Sequence, residues 1–190
     1  MTDYKNLIDG EMVDNGEWLD VLNPANEQVV GRVPACGKNE LDRAVAAARR
    51  AFKDWKKTSS EERQQVVQGI AAAIKDNADE LYRLLTTEQG KPLSESDADV
   101  GMCCDLIRFA AENTRRLEGD IIPADDPDEQ IWIQKVPHGV VVGITAWNFP
   151  VAVPTWKMFP AILSGNTVVF KPSEDAPHSG ALLVQVLEDA

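Results

Sequence analysis

The sequence is poor in the residues that build metal centres. It holds two histidines, His138 and His178, and three cysteines, Cys36, Cys103 and Cys104, at no spacing that would gather four nitrogen and sulfur ligands around a zinc ion. No metal site is expected, and the adjacent Cys103 and Cys104 cannot close a disulfide without unusual strain. Cations are also scarce: 19 Lys and Arg stand against 31 Asp and Glu, for a formal charge of -12. No nucleic acid partner is expected, because phosphate binding needs clustered cations to displace counterions. The acidity serves solubility instead. Long apolar runs are missing, so no bilayer span and no membrane partner are expected. The start, Met1 to Leu7, lacks the charged-then-apolar profile of a secretory signal. The cytoplasm is the expected location. A Gly-x-Gly-x-x-Gly fingerprint is absent as well, which argues against a standard pyrophosphate cradle.

What is present suits a globular protein. A chain of 190 residues with 44% hydrophobic content can bury the core of one substantial domain or two small ones. The first stretch reads as short strands and turns. Asp9-Gly10 sits between apolar residues as a hairpin signal. Trp18 to Leu22 and Gln28 to Val33 read as two further strands around the turn Asn23 to Asn26.

From Asn39 the period becomes helical, with Leu41, Val45, Ala48 and Phe52 on one face. Ser59 to Glu62 is a capping box that opens a second helix running through Ile74. Asn77 opens a third in the same manner, stopped by Gly90, Lys91 and Pro92. A fourth is expected from about Ser94 to Leu117. Together these form a helical layer that needs a sheet to cover.

The acidic, proline-bearing loop Pro123 to Asp128 reads as a linker, followed by the alternating run Ile131 to Val136. Then the composition shifts. Val140 to Ile144 is a continuous apolar strand of the kind buried on both faces of a parallel sheet. A helix-length segment runs from Pro150 to Leu163, a second strand from Thr167 to Phe170, and another helix begins near Ser179. Strand, helix, strand, helix specifies an α/β fold, a partial doubly wound, Rossmann-like parallel sheet behind an amino-terminal β element and helical layer. The expected segments are 1–122 for the β-ribbon and helical layer, 123–137 for a linker with an oligomerisation-type strand, and 138–190 for the first β-α-β-α unit.

Ligands of an open parallel sheet bind at the carboxyl ends of its strands. The first strand runs out into Thr145, Ala146, Trp147, Asn148, Phe149 and Pro150, the second into Lys171, Pro172, Ser173 and Glu174. Both loops are expected to open on one edge. Lys171 and Glu174 offer a donor and an acceptor suited to the two hydroxyls of a ribose, and the Asn148 amide suits an oxygen that gains negative charge in a transition state. The plainer alternatives stay open at this level. Lys171 to Glu174 also reads as a solvated turn with Ser173 as a helix cap, and Trp147 to Pro150 as a turn whose aromatic rings pack inward.

Taken together, Gly139 through Pro150, then Pro154, Trp156, Lys157, Pro160 and Gly165 through Val169, then Lys171 through Glu174, resemble the amino-terminal coenzyme-binding region of the aldehyde dehydrogenase superfamily. Ile8 to Gly10, Asn23 to Ala25 and Glu88, Gly90, Lys91 and Pro92 match it too, so the resemblance covers essentially the whole chain. It implies that Asn148 is catalytic, its side-chain amide stabilising the oxyanion of a thiohemiacetal. Lys171 and Glu174, with Ser173 beside them, would hold the adenosine ribose of NAD, and Thr145, Ala146 and Trp147 would line the cofactor. NADP is the alternative cofactor, disfavoured because Glu174 would repel a 2′-phosphate. Ala146 departs from the family, where most members carry proline.

In that family a cysteine thiolate attacks the aldehyde, hydride passes to the nicotinamide, and a glutamate activates water. Those residues lie beyond the region matched, and Cys36, Cys103 and Cys104 read as packing residues. The chain is therefore expected to be an amino-terminal fragment, inactive alone, of an enzyme that oxidises an aldehyde, with an ω-semialdehyde such as succinate semialdehyde as substrate and a homo-oligomer as the full-length state. The alternative is a non-catalytic nucleotide-binding or assembly module on the same fold. Either way, exposed strand edges are expected to make the isolated chain self-associate.

Overall fold

The structure is a computed structural model that describes residues 2–190; residue 1, where the expected first segment begins, lies outside them. Near the amino terminus Asp9 and Gly10 both take positive φ, 58° and 76°, the conformation that folds a two-residue hairpin with the native strand twist. It joins β1 (Asn6–Ile8) to β2 (Glu11–Val13), and a second antiparallel pair, β3 (Trp18–Leu22) and β4 (Val29–Pro34), follows. The residues before β1 run along β4 as a strap, with the Thr2 and Tyr4 amides donating to the Val30 and Arg32 carbonyls.

Four helices come next: α1 (Lys38–Trp55), α2 (Ser60–Asp76), α3 (Ala78–Gln89) and α4 (Leu93–Glu112). The capping box at α2 is made as the sequence predicts. Ser59 Oγ accepts the Glu62 amide at 3.1 Å, and Glu62 accepts the Ser59 amide at 2.6 Å. Asn77 behaves differently from the reading that it caps α3 with its side chain. Its Nδ2 donates backward to the Ala73 carbonyl at 2.8 Å, so it closes α2 and leaves α3 without a side-chain cap. Helix α4 also ends earlier than expected, at Glu112, and a 3₁₀ turn over Thr114–Arg116 replaces its last turn. Thr114 Oγ1 donates to the Ala111 carbonyl at 2.8 Å, which draws the chain into the tighter spiral.

Beyond the helices, β5 (Asp120–Pro123) and β6 (Gln130–Ile133) form an antiparallel ribbon around the acidic loop. Every residue of both strands is exposed, Trp132 to 69% and Ile121 to 67%. Only the second was expected, over Ile131 to Val136; it spans Gln130–Ile133, and Asp120–Pro123 is a strand through its pairing with it.

The parallel unit follows: β7 (Val140–Ile144), α5 (Ala152–Leu163), β8 (Thr167–Lys171) and α6 (Pro177–Glu188). β7 and β8 pair in parallel from Val140 opposite Thr167 to Ile144 opposite Lys171. Helix α5 packs between this sheet and α4, and α6 packs on α2 and α3. The core lies among the helices, around Phe159, Ile74, Leu81, Leu85, Ile107 and Leu183. The sheet itself is less covered than a strand buried on both faces would be: Val142 and Ile144 are 55% and 66% exposed. No helix among the described residues is long and apolar enough to cross a membrane.

Two buried carboxylates tie the helical layer to the parallel unit. The amide-bearing ends of α5 and α6 start at Val151 and Ala176, and neither residue has a capping side chain. Asp99 of α4 supplies the cap for α5, its Oδ1 accepting the Ala152 amide at 2.9 Å. Glu88 of α3 does the same for α6, accepting the His178 amide and, at 2.8 and 2.6 Å, the amide and hydroxyl of Ser179. Burial pushes the Glu88 carboxyl up, and the hydrogen bonds from Ser179 and His178 work against that shift.

Two outcomes are expected. Glu88→Ala strands two amides and a hydroxyl in the interior and should cost about 3 kcal/mol in urea unfolding; a loss no larger than that of an exposed Glu61→Ala would contradict the tertiary cap. Sedimentation of the isolated chain should show concentration-dependent association through the exposed β5–β6 ribbon and the bare face of β7, which Trp132→Lys with Ile144→Lys should reduce. A strictly monomeric chain at all concentrations would contradict it.

Candidate active site

Because β7 and β8 run in parallel and end together, the chain leaves both at the same edge. The Thr145 amide donates to the Lys171 carbonyl at 3.3 Å, one step past the last paired residues, so the two loops begin side by side. Thr145 is buried there, and Ala146, Trp147 and Asn148 are exposed.

On the β8 loop the Lys171 ammonium stands 2.7 Å from Glu174 Oε2, with both side chains largely in solvent. The hydrogen bond from Lys171 holds the Glu174 carboxyl below its ordinary range, so it is an anion at neutral pH. Such an exposed pair contributes little to stability, and both groups remain free to exchange partners with a ligand. Ser173 is buried. Its hydroxyl accepts the Asp175 amide at 3.2 Å and thus shapes the turn rather than capping α6.

On the β7 loop Asn148 and Phe149 form one wall of a cleft of about 510 Å³ whose other wall comes from the α3–α4 turn and the first part of α4, including Lys91, Glu95 and Met102. The hydrogen bond that holds Asn148 is made by its main-chain carbonyl, which accepts Lys91 Nζ at 2.8 Å. Its side-chain amide is left clear of that anchor. The Lys91 ammonium also meets Asp99 Oδ2 at 3.0 Å, in a pair whose side chains are 8% and 0% exposed, and it lies 4.5 Å from the centre of the Phe149 ring. Burial pushes the Asp99 carboxyl up, opposed by the hydrogen bonds from Lys91 and Ala152.

The sequence-predicted residues thus fall into two groups. Thr145, Lys171 and Glu174 cluster at the sheet edge, and Asn148 faces the cleft under α4. Sequence reasoning missed Asp99 and used Lys91 only as part of a motif. The signal for Asp99 was there: Ser96, Asp99, Val100, Cys103 and Ile107 form the buried stripe of α4, and an acid on an apolar stripe demands a partner.

Nothing marks a thiol here as a nucleophile. Cys103 is buried in α4 and its thiol is pushed up to about 12 by burial; burial raises Cys104 and Cys36 as well. A reactive cysteine needs the opposite shift. Among the described residues no group of three or more His, Cys, Asp or Glu is placed to hold a metal ion.

Known proteins share this arrangement. A 3-sulfolactaldehyde dehydrogenase of Pseudomonas putida is 41% identical over 186 residues, 97% of this chain and 38% of that protein. The NADP(+) succinate-semialdehyde dehydrogenase of Escherichia coli is 39% identical over 182 residues, 95% of this chain and 38% of that protein. A betaine aldehyde dehydrogenase from Staphylococcus aureus, solved in complex with NAD+, superposes with a TM-score of 0.94 at 36% identity, covering 98% of this chain and 38% of that one. The chain therefore spans well under half the length of the relatives it matches. With the aldehyde dehydrogenase family model matching residues 12–190, the sheet-edge loops and the cleft beneath α4 have their family: the chain belongs to the aldehyde dehydrogenases.

Proposed function

We propose that this chain is the amino-terminal part of an NAD-dependent aldehyde dehydrogenase that oxidises an aldehyde to a carboxylate, and that it supplies the oxyanion donor and half of the cofactor grip. The observation that carries this reading is the common edge of β7 and β8, where Thr145 and Lys171 are joined and the loops bearing Asn148 and Glu174 diverge.

The pieces suit those roles chemically. The exposed Lys171–Glu174 pair offers a cation donor and an anionic acceptor, which fits the vicinal hydroxyls of a ribose. Thr145, Ala146 and Trp147 form the backbone between that pair and the cleft, with Ser173 fixing the turn beneath Glu174. An anionic Glu174 repels a 2′-phosphate, which favours NAD over NADP. When bound, the cofactor accepts the hydride of the substrate. The free amide of Asn148 at the cleft wall can donate to a carbonyl oxygen as it gains charge.

The attacking thiolate is not provided by Cys36, Cys103 or Cys104, whose thiols are all shifted away from ionisation. It comes, with the glutamate that activates water, from polypeptide outside this chain, and the chain alone is inactive. Several relatives are named for semialdehydes, among them the glutarate-semialdehyde dehydrogenase of Pseudomonas putida, and an ω-semialdehyde is our proposed substrate class. The exposed β5–β6 ribbon supports a homo-oligomer in the complete enzyme.

Purified chain should show no NAD reduction with a panel of aldehydes; turnover would overturn the assignment of the nucleophile. In the longest native polypeptide carrying this sequence, Asn148→Ala should lower kcat by about two to three orders of magnitude, and a loss below tenfold would reduce Asn148 to a packing residue. Lys171→Ala or Glu174→Ala should raise KM for NAD by about tenfold, the worth of one charge-assisted hydrogen bond, with kcat little changed. An unchanged KM would remove the pair from the cofactor site.

A further inference from the structure

The segment from Asn148 to Ala152 is buried at its far end, at Pro150, Val151 and Ala152, but not at its first residues. Trp147, Asn148 and Phe149 are exposed, and Val151 brings no side-chain cap to α5. Both ends of the segment are nevertheless gripped, and both grips come from the helical layer. At one end Lys91 Nζ donates to the Asn148 carbonyl; at the other Asp99 Oδ1 accepts the Ala152 amide. The two gripping residues are themselves joined through Asp99 Oδ2.

The stoichiometry of Lys91 leaves little for binding ligands. An ammonium has three protons to give. Lys91 directs one at Asp99 and one at the Asn148 carbonyl, and faces the Phe149 ring at 4.5 Å. With its side chain 8% exposed and one side against the Phe149 ring, it has at most one proton left for a ligand, although Lys91 lines the cleft. Its placement is built into the chain just before it. Gly90 ends α3 in the left-handed conformation, φ 79°, and a Cβ there would stand 2.8 Å from Pro24 Cγ. Glycine is the residue that turns the chain at this point and aims Lys91 inward.

We infer that Lys91 and Asp99 are the positioning pair of Asn148: gripping the loop at its carbonyl and at the first amide of α5, they set the direction in which the Asn148 side-chain amide points into the cleft. The inference rests on the proposed role of Asn148 as oxyanion donor. A purely structural ion pair would stabilise the fold without acting through Asn148, and the two cases separate in a double-mutant cycle.

Lys91→Met alone leaves Asp99 buried without its cation and risks misfolding. The variant of choice is Lys91→Met with Asp99→Asn, which keeps an acceptor for the Ala152 amide and removes the grip on the Asn148 carbonyl. In the longest native polypeptide carrying this sequence, that pair of changes should lower kcat roughly ten- to hundredfold, part of the range for a lost oxyanion donor, with KM for NAD changed less than about twofold. Added to Asn148→Ala, it should cost less than about a further twofold, because the donor it aims is already gone. Full activity of the paired variant beside an impaired Asn148→Ala would overturn the positioning role alone, as would losses that multiply in the combined variant. An Asn148→Ala enzyme of normal turnover would overturn the oxyanion reading and this inference with it. On the chain itself, with no turnover required, the paired variant should speed exchange of the Val153 amide, which closes on the Phe149 carbonyl at 3.0 Å, by about tenfold while the Leu85 amide is unaffected. Equal exchange of Val153 in both proteins would also overturn the positioning role.

Discussion

Two carboxylates buried at the α3–α4 hairpin tie the helical layer of this molecule to its parallel unit. A helix start leaves amides without partners, and burying them unpaired is costly. Helices α5 and α6 begin with Val151 and Ala176 at their caps, so the missing acceptors have to come from elsewhere. Asp99 and Glu88 provide them from the neighbouring layer. Each also places a negative charge at the positive end of a helix dipole, where an anion is favoured. The exposed ion pairs of the surface, such as Asp9 with Arg50, contribute little by comparison. The interior Lys91–Asp99 pair belongs to another class, since losing either partner leaves an uncompensated charge among apolar side chains.

The same contacts explain how a helical layer comes to shape the loops at the end of a sheet. The loops after β7 and β8 start from a hydrogen-bonded pair of strands, but each then runs directly into a helix whose first turn is held by α3 or α4. Loop geometry is therefore fixed from two sides, by the parallel register behind it and by a carboxylate ahead of it. Between those anchors the outward groups, Asn148 on one loop and Lys171 with Glu174 on the other, stay exposed. The faces of Val142 and Ile144 and both strands of the β5–β6 ribbon stay exposed.

Much of this was legible in the residues. Asp9-Gly10, the Ser59–Glu62 box, Gly90 and the two valine-rich strands each encode their structure within a few positions, and each is found where the sequence puts it. Recognising the family required the separated motifs in order, since the loop residues taken singly also suit ordinary turns. What escaped reading was non-local. Asn77 closes the helix behind it because Ala73 offers an acceptor one turn back. The strand Asp120–Pro123 is defined by its partner rather than by its own pattern. Val140 to Ile144 looks like a strand covered on both faces, and only the neighbours present decide how much of it is. Glu88 and Asp99 lie among the buried residues of their helices and passed unnoticed as caps, and no local rule could say that their partners were amides 90 and 53 residues further on.

The dependence of the site loops on the helical layer is tested most directly by site-resolved hydrogen exchange on the chain. If Glu88 and Asp99 cap α6 and α5, the amides of Ala152, His178 and Ser179 should be as protected as core amides such as Leu85, opening only with the whole fold. Exchange of those three amides at the rate of the exposed ribbon would show that the first turns of α5 and α6 open on their own, and would contradict the role given to the two carboxylates.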